Sequence, residues 1–134
     1  MKVLALIFLG GGLGSVARYL TGKGMEFLLT SFRTSKATEP FTYTAFPAAT
    51  FVSNLAACII LGAAVVVIGR GQLGQQWVPF LIIGFCGGYS TFSTFSYETI
   101  GLISAGKWPL ALLNILVSVG TCIFALFVIS KQLK

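Results

Sequence analysis

The apolar residues of this chain gather into four long runs, at about 3–20, 46–68, 77–104 and 108–129. Each run approaches or exceeds the ~20 residues with which a helix crosses a ~30 Å hydrocarbon core. No stretch of about ten residues alternates apolar with polar, so membrane strands are a poor alternative. Polar breaks separate the runs: "TGKG" with "TSFRTSKATEP", then "GRGQLGQQ", then "AGKWP". The stretch "MEFLLTSFRT" (25–34) predicts a short interfacial helix before the second run. No composition shift marks a second domain, so residues 1–134 read as one unit. The pattern predicts an all-α integral membrane protein with four transmembrane helices.

Composition agrees. Hydrophobic residues make up 56% of the chain and charged residues 9%, against about 25% charged in an ordinary soluble domain. There is no His and no Asp, and the carboxylates are Glu26, Glu39 and Glu98. A Ser-His-Asp triad, an imidazole metal site or an aspartate pair cannot be assembled within one such chain. No enzyme activity and no catalytic residue is predicted. The net charge is +6, but the Lys and Arg residues form no dense patch. They flank the apolar runs, as contacts to lipid headgroups do, and no nucleic-acid partner is expected. Cys58, Cys86 and Cys122 all fall within apolar runs and read as small packing residues rather than a disulfide framework.

The N-terminal run admits three readings. Lys2, an apolar stretch and "SVA" before Arg18 resemble a signal peptide. Gly12, Gly14 and Ala17 have the spacing of a dinucleotide fingerprint, with Glu39 as the ribose acid. The third reading is preferred: Gly10, Gly11, Gly12 and Gly14 are small residues that let helices approach closely.

Loop charge carries no orientation signal. One side of the membrane would hold Lys2, Arg70, Lys131 and Lys134; the other would hold Lys23, Arg33, Lys36 and Lys107. Positive-inside bias normally sets topology. Its absence leaves two readings open: dual insertion, with two copies pairing antiparallel, or a single topology in which one loop charge is hidden.

Polar groups inside membrane runs are costly and usually functional. Arg18 either snorkels to the headgroups or stands as a cation at a vestibule. Asn54, with Thr50 on the same helical face, offers amide donors to an anion or bonds a neighbouring helix. The third run contains "GFCGGYSTFSTFSYE". Its paired glycines predict a helix broken mid-membrane, whose freed carbonyls would suit a cation. After the break, helical phase groups Phe92, Phe95 and Thr99, with Thr91, Thr94 and Glu98 on an adjacent face. Aromatic ring edges are positive and can face an anion. Glu98 would pair with a cation, carry a proton or accept from hydroxyls. Asn114, Ser118 and Thr121 make a polar stripe on the fourth run, with Cys122 on the same side.

Three of these stretches, "GGGLGSVARYL", "TFVSNLAACIILG" and above all "GFCGGYSTFSTFSYE", resemble the Fluc (CrcB-type) fluoride channels of microbes, and the resemblance runs the length of the chain. It implies an antiparallel, dual-topology homodimer with two pores, and the balanced loops favour a homodimer over paired paralogues. It implies that Phe92 and Phe95 line the pore and that Asn54 donates to fluoride. The carbonyls of Gly87 and Ser90 would hold a structural Na⁺ between subunits, and Arg18 would stand at the vestibule. Thr91, Thr94, Glu98 and Ser118 would form a polar track. The expected partners are fluoride, membrane lipid and a second copy, and the expected location is the cell membrane. Such a channel exports cytoplasmic fluoride passively. The main rival reading is a small multidrug-type proton-coupled antiporter with Glu98 as its carboxylate; a membrane-scaffold subunit is a third.

Overall fold

In a computed structural model the chain is described over residues 1–32 and 45–133. Arg33, Lys36, Glu39 and Lys134, which enter the loop-charge balance or the dinucleotide reading, lie outside the described residues. The described chain is helical: α1 (Lys2–Phe32), α2 (Ala48–Gly69), a π-helical segment (Pro79–Cys86) that continues as the single turn α3 (Gly87–Tyr89), α4 (Phe92–Ser104) and α5 (Trp108–Ser130). A short 3₁₀ turn, Gln75–Trp77, precedes the π segment. Among the described residues four stretches are long and apolar enough to cross a membrane: Lys2–Leu29, Ala48–Gly69, Gln75–Ser104 and Trp108–Ser130.

The first of these corrects an expectation. The "TGKG" break does not end the first helix, and residues 25–32 form no separate interfacial helix; α1 runs unbroken for 31 residues. That is about 46 Å, some 16 Å more than the hydrocarbon core. Gly22 and Gly24 lower helix propensity by about 1 kcal/mol each, which Leu, Met, Phe and Glu around them outweigh. An exposed Lys23–Glu26 pair, 2.9 Å apart at i,i+3 spacing, lies in the extension.

The two later breaks form as predicted, by a specific device. Gly71 and Gly106 both have φ +71°, which only glycine adopts without strain. At each, two backbone bonds close a Schellman cap: Gly71 N–H to Ile68 O and Gln72 N–H to Val67 O, then Gly106 N–H to Ile103 O and Lys107 N–H to Leu102 O.

Packing follows residue size. α1 lies along the π segment and α3, while α2 lies along α5 and α4 leans on α5. The first contact is glycine against glycine. A Cβ on Gly84 would stand 2.9 Å from Gly10 Cα, and one on Gly14 would stand 2.7 Å from the Tyr89 nitrogen. A Cβ on Gly88 would run into the Gly11 backbone. The close-approach reading of the N-terminal glycines therefore holds, with a continuous helix in place of a βαβ turn; Gly12 alone of that run faces open space.

The core is small, centred on Leu102, Ala57, Ala111, Cys86 and Phe95. Most other large apolar side chains point outward, among them Phe8, Phe27, Phe92, Ile123 and Phe124. A water-soluble monomer rarely exposes so much contiguous apolar surface; lipid, or lipid and a second protein surface, is its solvent.

Candidate functional site

The helical path of the third span is interrupted at Ser90 and Thr91, which are extended (ψ 157° and φ −152°, ψ 110°). The interruption was expected within GFCGGYS (84–90), on the strength of its paired glycines. Those glycines are instead helical, and α1 explains why: Gly88 is needed for close packing, and its helical backbone is what packs. The helix opens one turn later because Asn54 diverts a backbone bond. Thr91 N–H, which would otherwise close the helical bond to the Gly87 carbonyl, donates to Asn54 Oδ1 at 2.7 Å. Asn54 Nδ2 lies 3.4 Å from the Thr91 carbonyl. The side-chain amide thus clamps both polar groups of one extended residue. The donor identity of Thr91 N–H fixes which end of the amide is oxygen.

Thr91 then starts α4. Its Oγ1 accepts from Thr94 N–H at 3.2 Å, an N-cap bond, and contacts Thr94 Oγ1 at 2.9 Å and Ser93 Oγ at 3.2 Å. Such a cap is worth about 1 kcal/mol. On the other side of the break, Arg18 Nη1 donates to the Ser90 carbonyl at 3.1 Å. Ser90 Oγ turns back to the Cys86 carbonyl at 2.9 Å. Thr21 spends its one proton on Ala17 O, so Tyr89 O–H is the donor in their 2.9 Å bond. A guanidinium on α1, an amide on α2 and a hydroxyl cap thus satisfy backbone that would be prohibitive bare in lipid.

Beside the break lies a cavity of about 280 Å³, walled by Asn54, Ser90, Thr91, Phe92, Phe95 and Ser118, together with apolar and thiol side chains of α2 and α5. The Phe92 and Phe95 ring centroids are 5.7 Å apart at 37°. Phe95 is 8% exposed and Phe92 78%, so one ring is fixed against the bundle and the other projects from it.

Ser118 belongs to a buried network linking α4 to α5. Asn114 Nδ2 donates to Thr99 Oγ1 at 2.9 Å, Thr99 Oγ1 donates to the Phe95 carbonyl at 2.7 Å, and Ser118 Oγ donates to Asn114 Oδ1 at 3.2 Å. Ser118 therefore shows the cavity its lone pairs. It must rotate away from Asn114 to donate to an anion. Thr121, the third member of the predicted stripe, bonds its own helix at the Val117 carbonyl.

Thr94 and Glu98 do not wall the cavity. Glu98 Oε1 accepts from Thr50 Oγ1 at 2.9 Å, the hydroxyl-bonded option of the three open to it. Its Oε2 is buried, with no hydrogen-bond partner among the described residues. Sequence reasoning missed the Arg18–Ser90 bond, which joins residues 72 positions apart. It also missed the Thr99–Asn114 link, and Cys58, which walls the cavity one turn beyond Asn54.

The sequence pattern of the family described as "CrcB-like protein, Camphor Resistance (CrcB)" matches residues 5–129. The chain belongs to the CrcB-like family. It is 41% identical over 125 residues to the fluoride-specific ion channel FluC of Coxiella burnetii (strain CbuK_Q154), covering 92% of this chain and 90% of the relative. It is 37% identical over 137 residues to the FluC of Flavobacterium psychrophilum, covering 99% and 100%. It is 36% identical over 127 residues to the FluC of Pyrococcus horikoshii, covering 94% and 91%. Like a CrcB-like chain throughout, this is a multi-pass protein of the cell membrane. The resemblance first seen in the third-span motif thus extends over all four spans.

Proposed function

We propose that the chain is a fluoride-selective passive ion channel that exports cytoplasmic fluoride and so lowers its toxicity. The observation that carries this reading is the cavity shared by Asn54, Phe92, Phe95 and Ser118, in a chain whose relatives are named fluoride-specific channels. Fluoride is small and strongly hydrated, so a path must replace its water with donors. Asn54 keeps one amide hydrogen free while the other lies against Thr91. Ser118 supplies a second donor on rotating, and the phenyl edges supply positive rims. Thr91 borders this route, and Thr94, off the cavity wall, bonds the Thr91 hydroxyl. Glu98 is bonded to Thr50 and stands off the cavity wall. Conduction needs such a site to bind firmly enough to admit the ion and weakly enough to release it. Fluoride enters acidified cells as neutral HF and dissociates inside, and the negative interior potential drives the anion out.

The functional unit in this reading is an antiparallel homodimer of dual topology, its third helix broken at mid-membrane, with two pores. Phe92, exposed in the single chain, would meet the second copy. Na⁺ would be held by the carbonyls of Gly87 and Ser90 from both copies, and would offset the carbonyl dipoles gathered at the centre. Two features suit that role: Gly87 is exposed, and the Thr91 amide no longer bonds its carbonyl. The Ser90 oxygen would share its two lone pairs between Na⁺ and Arg18. Arg18 then anchors the break and lends positive potential to the vestibule.

Reconstituted in liposomes, the protein should release fluoride and retain chloride, and Phe92→Ile should stop the flux. Equal leakage of both halides would overturn the proposal.

A further inference from the structure

Fluoride passage uses the amide, hydroxyl and ring-edge groups of the cavity wall and leaves its two thiols without a role. Cys58 on α2 and Cys122 on α5 both line the cavity. Both are free thiols, and they border this one cavity from two different helices. The two helices pack directly on one another. Each cysteine lies four residues beyond a polar wall residue, Cys58 after Asn54 and Cys122 after Ser118. They therefore sit one helical turn farther along the same wall.

We propose that Cys58 and Cys122 form a two-thiolate site for a soft, linearly coordinating cation such as Hg²⁺, and that the bound cation closes the cavity to anions. Thiolate is the soft ligand that selects soft metals over Mg²⁺ or Ca²⁺. Among the described residues no group of three His, Cys, Asp or Glu side chains could hold a metal, so a four-coordinate Zn²⁺ site is not built here. A two-coordinate cation needs only the pair present. Its ligands come from helices already in contact, so little ordering is required. The step balances without redox change: two S–H bonds break, two S–Hg bonds form, and two protons leave through the cavity to water. The product is neutral, which suits a wall facing lipid and protein. The third thiol, Cys86, is buried and does not line the cavity, so it serves as the internal control.

The test uses the full chain in detergent and in liposomes, with Hg²⁺ in chloride-free nitrate buffer as the probe. Native mass spectrometry and thiol counting should find one Hg²⁺ per chain, with two thiols consumed together. Cys58→Ser and Cys122→Ser should each weaken binding by about tenfold or more, because the second ligand is no longer held at high effective concentration. Cys86→Ser should bind as the parent chain does. In liposomes Hg²⁺ should reduce flux through the parent and Cys86→Ser proteins to background. The Cys58→Ser and Cys122→Ser proteins should each keep most of their own metal-free flux. Undiminished binding in Cys58→Ser or Cys122→Ser would overturn the site; bound metal with unchanged flux would overturn the closure. The closure rests on the fluoride-channel reading, but the stoichiometry does not. A chain that binds Hg²⁺ between these thiols and never conducts fluoride would refute that reading and leave the metal site standing.

Discussion

Asn54→Asp separates the two jobs assigned to Asn54. The substitution keeps an oxygen to accept from Thr91 N–H, 2.7 Å away in the parent chain. It removes the Nδ2 donor lying 3.4 Å from the Thr91 carbonyl. Losing that long contact costs about 1 kcal/mol, and a carboxylate oxygen facing the Thr91 carbonyl adds to it, so flux is compared only on folded protein. Conduction should fall. A carboxylate about 5 Å from a passing anion raises the anion's energy by about 3 kcal/mol at an effective dielectric of about 20. That slows passage by about two orders of magnitude. The assay is fluoride release from liposomes, read with a fluoride electrode, on protein that elutes from gel filtration like the parent. A well-folded Asn54→Asp protein conducting within about threefold of the parent would refute the reasoning: at ~1.4 kcal/mol per tenfold, so small a change leaves no room for a charge beside the path.

Three further outcomes follow from the contacts. Gly88→Ala should destabilise the protein by about 1–3 kcal/mol, because its Cβ meets the Gly11 backbone. Gly12→Ala, which meets nothing, should be neutral or slightly stabilising; thermal unfolding in detergent that ranks the two alike would contradict the packing. Asn114→Ala should lower stability by about 1–3 kcal/mol, since Thr99 and Ser118 each lose a buried partner, and the same melts would read it. Arg18→Gln, which keeps a donor for the Ser90 carbonyl but no charge, should reduce fluoride flux several-fold at low ionic strength and less at high, as screening removes the steering term. A salt-independent effect would point to the hydrogen bond instead.

The four spans were legible because a bilayer demands about 20 apolar residues per crossing and little else. The turns after α2 and α4 were legible because Gly71 and Gly106 stand where a left-handed residue is required. GFCGGYS was legible as a break, but the opening at Ser90 and Thr91 falls at its end and not at the paired glycines. Glycine's low propensity pointed to Gly87–Gly88, whereas packing against Gly11 holds Gly88 helical. The actual opening depends on Asn54, 37 positions away. Thr91 immediately before the apolar Phe92 is an N-cap signal, and it stands at the boundary that forms. Arg18 shows the opposite limit. Snorkelling or vestibule were the options a lone cation in an apolar run allows, and its bond to the Ser90 carbonyl exists only once α1 is laid against the third span. The extension of α1 past Lys23 was hidden because glycines weigh against a helix, while the favourable residues around them count only in sum.

Selectivity among anions tests the central claim most directly. In a planar bilayer holding the purified protein, with a fluoride salt on one side and an equal concentration of chloride on the other, the current should reverse far from zero, at a potential of the sign set by fluoride alone. Reversal near zero would mean that chloride passes as readily, and the fluoride-channel account would fail.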